Sequence, residues 1–315
     1  MWQIELVNLL KEEIELSVSV LPEELRGFVR EPLTVSRRGL SVPNKHDPPW
    51  ILLPLIACDS IAGSPEKALP LCASLQFFMA AGDVFDDVED NDAPLSLSRK
   101  YGTAITNNVA TTLLVLGEKA IARLKEKNIR DSKIVLILDI INSYYLKACT
   151  GQHFDLSHGN KLDISEKDYL DILSLKSASQ IECACYTGAL LATDNMELLD
   201  LFKQFGYNLG MMLQITNDIA GIINRKDIAN KKITFPVIFA LSKTESAIRN
   251  KLEQYYVNQP SNELSVEQVA DILYDTGAMH YTAIITESYR LSAAEVNEKA
   301  ENSGINTEKL KVFLK

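Results

Sequence analysis

LQFFMAAGDVFDDVED, residues 75–90, joins a mostly apolar run to a cluster of acidic side chains. Asp86 and Asp90 are four residues apart, so in a helix their carboxylates share one face, with Cβ atoms roughly 5–6 Å apart. Like charges at this spacing repel unless a cation bridges them, and ligation by oxygen alone suits Mg²⁺. A solvated helix end would show the same acidic run. The stretch predicts a long helix and, with Asp86, Asp87 and Asp90 as ligands, a candidate magnesium site.

A second polar pair follows another apolar helical stretch. Residues 213–221 are LQITNDIAG, in which Asn217 and Asp218 close the apolar run. An ordinary helix C-terminus fits this pattern as well as a ligand site does. Four basic residues come next, and they favour the second interpretation, because metal ions can bridge carboxylates to a phosphate while cationic side chains neutralise the remaining charge. The basic residues are Arg225, Lys226, Lys231 and Lys232.

Two shorter segments place polar residues among apolar ones. Lys176 lies in the middle of a predicted helix, where a lone lysine is usually on the surface. Gln152 and Asp155 lie at i and i+3, on nearly one helix face. That spacing suits either mutual hydrogen bonding in the core or contact with a ligand. The four histidines show no metal-ligand spacing, so we assign them no chemistry.

The composition favours helices throughout. The chain has 315 residues, of which 46% are hydrophobic, with only 14 glycines and 11 prolines. We predict one all-α domain over residues 1–315 with an irregular arm at about 22–48. Ser165 and Asp168 resemble a capping box. Predicted helices cover residues 2–20, 49–62, 66–90, 102–127, 133–158, 165–192 and 195–223, and a charged loop then leads to a helix ending at 241 and to further amphipathic helix.

Charge and cysteine content exclude several classes of protein. The net charge is −10 and no basic stripe occurs, so a nucleic acid is not expected as partner. Five scattered cysteines favour a reduced, cytoplasmic protein. The acidic N-terminus does not resemble a signal peptide, and no uninterrupted apolar run reaches the roughly 18–20 residues that span a bilayer, so we predict no transmembrane segment.

Taken together, the motifs resemble those of the trans-polyprenyl diphosphate synthases and their class I terpene synthase relatives, over roughly residues 45–241. The pieces come in the family's order. They are Asp86-Asp87-Val88-Glu89-Asp90 for DDxxD, Gly151-Gln152 with Asp155 for GQxxD, Lys176-Ser177 for its Lys-Thr pair, Gln214 to Asp218 for FQxxDD, and Asp227 with Lys232 to Pro236 for D…KxTLP.

The resemblance implies a single-domain bundle of helices around a deep apolar cavity, assembled as a homodimer. It implies three Mg²⁺ ions and loss of pyrophosphate from an allylic prenyl diphosphate such as geranylgeranyl or farnesyl diphosphate. It assigns metal binding to Asp86, Asp87, Asp90, Asn217 and Asp218, and catalysis to Asp86, Asp90, Lys176 and Asn217. Substrate binding falls to Lys45, Gln152, Lys176, Ser177, Gln214, Arg225, Lys231 and Lys232.

The sequence departs from the family's elongating members, which hold isopentenyl diphosphate with a GGKRLRP segment and an Arg-Arg pair after DDxxD. Residues 43–49 are PNKHDPP, so of the first segment only Lys45 and Pro49 remain. Residues 91–96 are NDAPLS and contain no arginine. A second diphosphate without arginine forks would be held weakly, so ordinary chain elongation is disfavoured.

The second motif is altered too. Asn217 stands where the family has its first aspartate, and Gly221 where it has the last. An asparagine oxygen can still bind Mg²⁺, and Asn-Asp resembles the start of the cyclases' NSE/DTE motif. The downstream acidic ligand of that motif is absent, because Arg225 occupies its place.

Residues one turn before Asp86 bear on the length of the substrate. Ala81 and Gly82 are small, so a cavity could continue a turn deeper, where Phe77 and Phe78 would close it. A C15 to C20 prenyl chain fits that picture.

These observations favour a terpene synthase that cyclises one allylic diphosphate without an isopentenyl diphosphate site. One alternative is a prenyltransferase, either chain-elongating or acting on another acceptor. The isoprenyl transferases that modify a tryptophan of a quorum-sensing peptide also resemble this chain in the acidic motif, the GQxxD segment and the absent Arg-Arg pair. A further alternative, of another class, is a catalytically silent regulatory subunit.

Overall fold

The computed structural model describes residues 2–34, 50–90, 96–158, 161–257 and 264–315. Within these ranges every regular element is helical and none is a strand, which confirms the all-α prediction. Lys45 and the side chain of Asp90 lie outside the described part of the chain. The chain divides into two compact units, and the single domain over residues 1–315 stays a prediction. The first comprises Met1–Ser143, Cys183–Lys203 and Val296–Lys315, and the second Tyr144–Glu182 and Gln204–Glu295.

The elements follow one another with short connections. The first half contains α1 (Trp2–Val18), α2 (Glu23–Thr34), α3 (Leu53–Ala62), α4 (Leu69–Asp90), α5 (Leu97–Tyr101), α6 (Thr103–Ala122) and α7 (Asp131–His158). Short 3₁₀ helices lie at Trp50–Leu52, Pro65–Ala68 and Arg123–Lys127. The second half contains α8 (Glu166–Leu173), a π-helix (Ser174–Ala178), α9 (Ser179–Ala192), α10 (Met196–Ile223), α11 (Lys226–Ala229), α12 (Phe235–Lys243), α13 (Ser246–Tyr256), α14 (Val266–Asp275), α15 (Ala278–Asn302) and a 3₁₀ helix at Lys311–Leu314.

The predicted irregular arm at 22–48 is wrong for residues 23–34, which form α2. The helical period was present in Leu25, Val29 and Leu33, and the last two are buried. Glu23 and Glu24 also favour a helix start, because acidic side chains suit the positive end of the helix dipole. Proline and arginine content had suggested a loop. The remainder of the predicted arm lies outside the described residues.

In the first unit, α4 packs closely against α6. Phe77 and Ala81 on α4 are fully buried, and Phe78 is 4% exposed. Gly117 on α6 makes the close approach possible, since a Cβ atom there would lie 2.9 Å from Cδ2 of the Phe78 ring. A larger residue at 117 would therefore press on the aromatic pair that precedes the acidic motif.

In the second unit, a row of aromatic rings packs in one cluster with residues of α10. Tyr169, Phe235, Tyr281 and Phe239 follow one another at centroid distances of 6.3, 5.9 and 4.3 Å. Met211 and Ile215 of α10 pack in the same cluster and are fully buried. These contacts join α8, α12 and α15 to the helix that carries the second polar pair, so that pair lies on a rigid support.

Among the described residues, two helices are long and apolar enough to cross a membrane if length and composition alone are considered. They are Pro65–Glu89 and Asp131–His158. The first is largely buried, as the core helix of a globular protein is, whereas the second is mostly exposed. The absence of a transmembrane segment stays a prediction.

Candidate functional site

The first acidic motif lies at the C-terminal end of α4. Asp86 and Asp87 are partly buried there, and Asp90 is the last residue of this 22-residue helix. The negative end of the helix dipole disfavours a carboxylate in the last turn, typically by about 0.3–1 kcal/mol. A cluster of carboxylates at this end therefore favours a bound cation that offsets the repulsion.

A π-helix positions Lys176. Residues Ser174–Ala178 form the π-helical turn between α8 and α9, and such turns are frequent at functional sites. Two glycines flank it. A Cβ at Gly151 of α7 would lie 2.3 Å from the Lys176 backbone nitrogen, and one at Gly210 of α10 would lie 2.6 Å from the Ala178 Cα. Only glycine permits these approaches, so the glycine of the Gly151-Gln152 motif has a packing role.

The π-helix brings Lys176 to Asp155 of α7. The Lys176 ammonium donates a hydrogen bond of 2.6 Å to Oδ2 of Asp155, and the two side chains are 24% and 36% exposed. Gln152 and Ser177, which we predicted to bind substrate, are partly buried in the same two segments. A partly exposed ion pair adds little stability, at most about 1 kcal/mol. The ion pair with Asp155 instead holds the Lys176 ammonium in a position that an anionic ligand can reach.

Asp218 is held inside the second unit. It is 4% exposed, and its Oδ2 accepts hydrogen bonds from the Tyr169 hydroxyl at 2.9 Å and from the Phe235 backbone N–H at 3.3 Å. Burial raises the pKa of Asp218 to about 7, against the lowering effect of these two donors and of a hydrogen bond with the Gln214 side chain. The carboxylate therefore ties α8 and α12 to α10. This geometry favours a positioning role for Asp218, whereas its neighbour Asn217 is exposed and accessible to a ligand.

Two of the predicted diphosphate-binding cations contact backbone carbonyls. Arg225 has a left-handed φ of 65°, and its Nη1 donates to the carbonyls of Ile222 at 2.9 Å and Ile223 at 3.2 Å, which caps α10. Lys231 donates to the Tyr255 carbonyl at 2.7 Å and lies 4.6 Å from the centre of its ring. These contacts favour structural roles for both residues. Lys232 is partly buried, and its role as a diphosphate ligand stays a prediction.

Sequence reasoning placed Asp227 in the D…KxTLP motif but assigned no role to its carboxylate, which lies beside α10. A Cβ at Gly221 would lie 1.7 Å from Oδ2 and 2.3 Å from Cγ of Asp227. The carboxylate of Asp227 thus fills the space where residue 221 would place its own side chain. The available signal was a glycine in the position of the expected aspartate, followed by an aspartate six residues later.

Oxygen donors are available for a divalent cation in both acidic segments. Among the described side chains, no three His, Cys, Asp or Glu groups converge on one point. Mg²⁺ does not require such a cage, because one or two carboxylates with substrate phosphates and water satisfy it. Asp86 with Asp87 on α4 is a donor set of that kind, and Asn217 on α10 offers an amide oxygen. The number of ions stays a prediction.

Comparison with known proteins shows the family. A model of the polyprenyl synthetase family matches residues 51–273, and the chain belongs to that family. A short chain isoprenyl diphosphate synthase of Methanothermobacter thermautotrophicus is 23% identical over 95% of this chain and 94% of its own. A tryptophan prenyltransferase, ComQ, of Bacillus subtilis subsp. natto is 28% identical over 71% of this chain and 67% of its own.

Solved structures agree on the fold. Geranylgeranyl pyrophosphate synthetase from Pyrococcus horikoshii superimposes with a TM-score of 0.80 at 22% identity, covering 93% of this chain and 89% of its own. Polyprenyl synthetase from Streptomyces coelicolor gives a TM-score of 0.81 at 17% identity, covering 98% and 95%. At this identity the likeness establishes the all-α isoprenoid synthase fold.

Proposed function

We propose that this protein is a magnesium-dependent prenyltransferase that ionises an allylic diphosphate of C15 to C20 and transfers the prenyl group to an acceptor without a diphosphate. The relatives named above are a prenyl diphosphate synthase and a tryptophan prenyltransferase, and both names describe prenyl transfer. They support transfer, one of the alternatives in the sequence analysis, better than the cyclisation that the sequence favoured.

The observation that carries the choice of acceptor is that, within the described part of the chain, several basic side chains near the motifs are already engaged. Lys100, the second of the two basic residues that follow the acidic motif, is bonded to Glu31, and the adjoining Tyr101 ring packs edge-on against Phe28. Arg225 and Lys231 bind backbone carbonyls. A tightly bound pyrophosphate group usually needs several charge-assisted hydrogen bonds. Lys176, whose ammonium stays partly exposed beside Asp155, and Lys232 would bind one such group together with metal ions.

In the proposed reaction, different segments bind the metal ions and the diphosphate. Mg²⁺, held by Asp86, Asp87 and Asp90 on α4 and separately by donors on α10, would neutralise the charge that develops on the departing pyrophosphate. Lys176 and Lys232 would bind the diphosphate, with Gln152, Ser177 and Gln214 as further polar contacts. Asp155 holds the Lys176 ammonium in place. The C1–O bond breaks with its electron pair on pyrophosphate, C1 bonds to the acceptor carbon, and that carbon then loses a proton.

The apolar end of α4 suits the prenyl chain. Phe77 and Ala81 are fully buried and Phe78 nearly so, while Gly82 is partly exposed one turn before the acidic motif. We propose that these four residues set the chain length at C15 to C20. An apolar lining also excludes the water that would quench an allylic cation.

The test is an incubation of the purified protein with Mg²⁺ and farnesyl or geranylgeranyl diphosphate. One reaction contains no acceptor, a second contains isopentenyl diphosphate, and a third contains a tryptophan-containing peptide. Pyrophosphate and products are followed by mass spectrometry. Prenylated peptide supports the proposal. Longer diphosphates formed only with isopentenyl diphosphate would replace it by chain elongation, and a terpene formed without acceptor would replace it by cyclisation. No pyrophosphate in any reaction would leave the silent subunit.

We further propose a cytoplasmic homodimer. The helix α7 leaves large apolar side chains exposed, with Val135 at 66%, Leu136 at 47% and Leu146 at 69%. A second copy of the same surface would bury them. Leu146→Glu should then give a monomer in light scattering after size exclusion, whereas Leu16→Glu, which replaces a leucine 55% exposed on α1, should leave a dimer. A wild-type monomer at micromolar concentration would refute this.

A further inference from the structure

The segment between α10 and α12 folds back onto α10. A side chain at position 221 would begin where the Asp227 carboxylate now lies, 1.7 Å from Oδ2. Side chains of a helix lean toward its N-terminus, so a group in this space covers the preceding turn. Asn217 is four residues before Gly221 and therefore on the same face. This places the Asp227 carboxylate over the helix face that carries Asn217, where the side chain of an aspartate at 221 would begin.

Hydrogen bonds fix Asp227 in this position. The Asn224 side chain accepts from the Lys226 N–H at 2.9 Å, and the Asp227 carbonyl accepts from the Lys232 N–H at 2.9 Å. Ile228, the next residue, is fully buried, and its carbonyl accepts from the Tyr255 hydroxyl at 3.1 Å. A ligand group on so well anchored a turn loses little entropy when it binds a cation.

A second feature nearby is a buried hydroxyl. Tyr256 is 8% exposed, and its hydroxyl has no hydrogen-bond partner among the described residues. It lies within the electrostatic reach of Asp227, whose charge adds to burial in raising the pKa of Tyr256. Buried hydroxyls normally have a partner, and a water molecule in the shell of a cation is a partner of that kind.

We propose that Asp227 supplies from α11 the acidic oxygen that α10 lacks at Gly221, and that Asp227 and Asn217 together bind the divalent cation that holds the substrate's diphosphate. The inference rests on the proposed function, because it assumes a metal–diphosphate site. A carboxylate and an amide oxygen suit Mg²⁺ and equally Mn²⁺, which serves as a spectroscopic probe. Asp227 then supplies in the folded protein the acidic ligand that the second motif lacks at position 221.

The experiment measures binding of Mn²⁺ by electron paramagnetic resonance in the presence of inorganic pyrophosphate, using the full chain. Asp227→Asn removes the charge and keeps the shape. Gly221→Ala places a methyl group where the carboxylate lies and should displace it. The double variant Gly221→Asp/Asp227→Ala returns the carboxylate to α10. Asp271→Asn, exposed on α14, is the control for loss of one negative charge.

We expect Asp227→Asn and Gly221→Ala to weaken one Mn²⁺ site by roughly 10–100-fold, the double variant to recover most of the affinity, and the control to match wild type. Unchanged binding by Asp227→Asn would overturn the inference and leave the proposed function standing. If Asp227→Asn does not fold, the double variant decides, since failure to recover binding also overturns it. A wild-type protein that binds no Mn²⁺ with pyrophosphate would refute inference and function together.

Discussion

Replacing Tyr169 with phenylalanine should make the stability of the protein depend more steeply on pH. The hydroxyl of Tyr169 donates to the buried Asp218, which also accepts from the Phe235 N–H and is hydrogen-bonded to the Gln214 side chain. A hydrogen bond to a charged group contributes about 1.5–3 kcal/mol and one to a neutral group about 0.5–1.5 kcal/mol. The cost of the substitution therefore depends on whether Asp218 is ionised.

The sign follows from the pKa of Asp218. Its folded-state pKa is raised from 3.8 to about 7, so the contribution of this group to stability is full below pH 3.8 and is lost as the pH rises through 7. Near pH 5 folded Asp218 is protonated, and Tyr169→Phe should cost about 1 kcal/mol. Near pH 8 it is ionised, and the cost should reach about 2–3 kcal/mol, because the pKa rises further without the donor.

The assay is denaturant unfolding, followed by far-ultraviolet circular dichroism at both pH values and at one protein concentration. Tyr281→Phe is the matched control, since its hydroxyl donates to the carboxylate of Glu166 at 3.0 Å near the surface and its loss should cost less. Equal costs of Tyr169→Phe at the two pH values would refute the reasoning. So would a pH-dependent cost that persists in an Asp218→Asn background.

Three further predictions concern the packing and the acidic segments. Gly151→Ala should destabilise the fold by about 1–3 kcal/mol and weaken pyrophosphate binding, because the methyl group would overlap the Lys176 backbone; calorimetry with pyrophosphate measures both, and unchanged values would contradict the close approach. Asp86→Ala or Asn217→Ala should abolish pyrophosphate release with an unchanged circular dichroism spectrum, and full activity in either would exclude that residue from the site. Gly117→Ala should cost about 1–3 kcal/mol in thermal or denaturant unfolding through its contact with the Phe78 ring. Gly117→Ala/Phe78→Leu should cost less than the sum of the two single changes, and strict additivity would argue against the contact.

Local pattern predicted most of the helices, because apolar spacing reports which face of a helix is buried. The predicted helix over 66–90 corresponds to Pro65–Ala68 and α4, and the Ser165 cap accepts a hydrogen bond from the Asp168 N–H at 3.1 Å. The prediction of a continuous helix over 165–192 missed the π-helix. That turn depends on glycines of α7 and α10, which a scan of the segment itself does not reveal.

Side-chain roles were harder to predict than helices. Lys231 and Tyr255 are 24 residues apart, and Tyr169 and Asp218 are 49 apart. Only the fold shows that Lys231 donates to a backbone carbonyl, and that Tyr169 donates to Asp218, which its motif had marked as a metal ligand. Spacing along one helix identified Asp86 and Asp90 as candidates, but it could not reveal that Asp227 returns to Gly221.

The π-helix at Ser174–Ala178 also restricts the number of residues that this segment can contain. Such a turn accommodates one residue more than the α-helix around it, so both flanking helices keep their packing only while that extra residue is present. Deleting one residue here would restore a regular helix and rotate one flank by about 100° relative to the other. Lys176 would then lose its alignment with Asp155, or Tyr169 its alignment with Asp218. The contacts of both flanking helices therefore constrain the length of this segment.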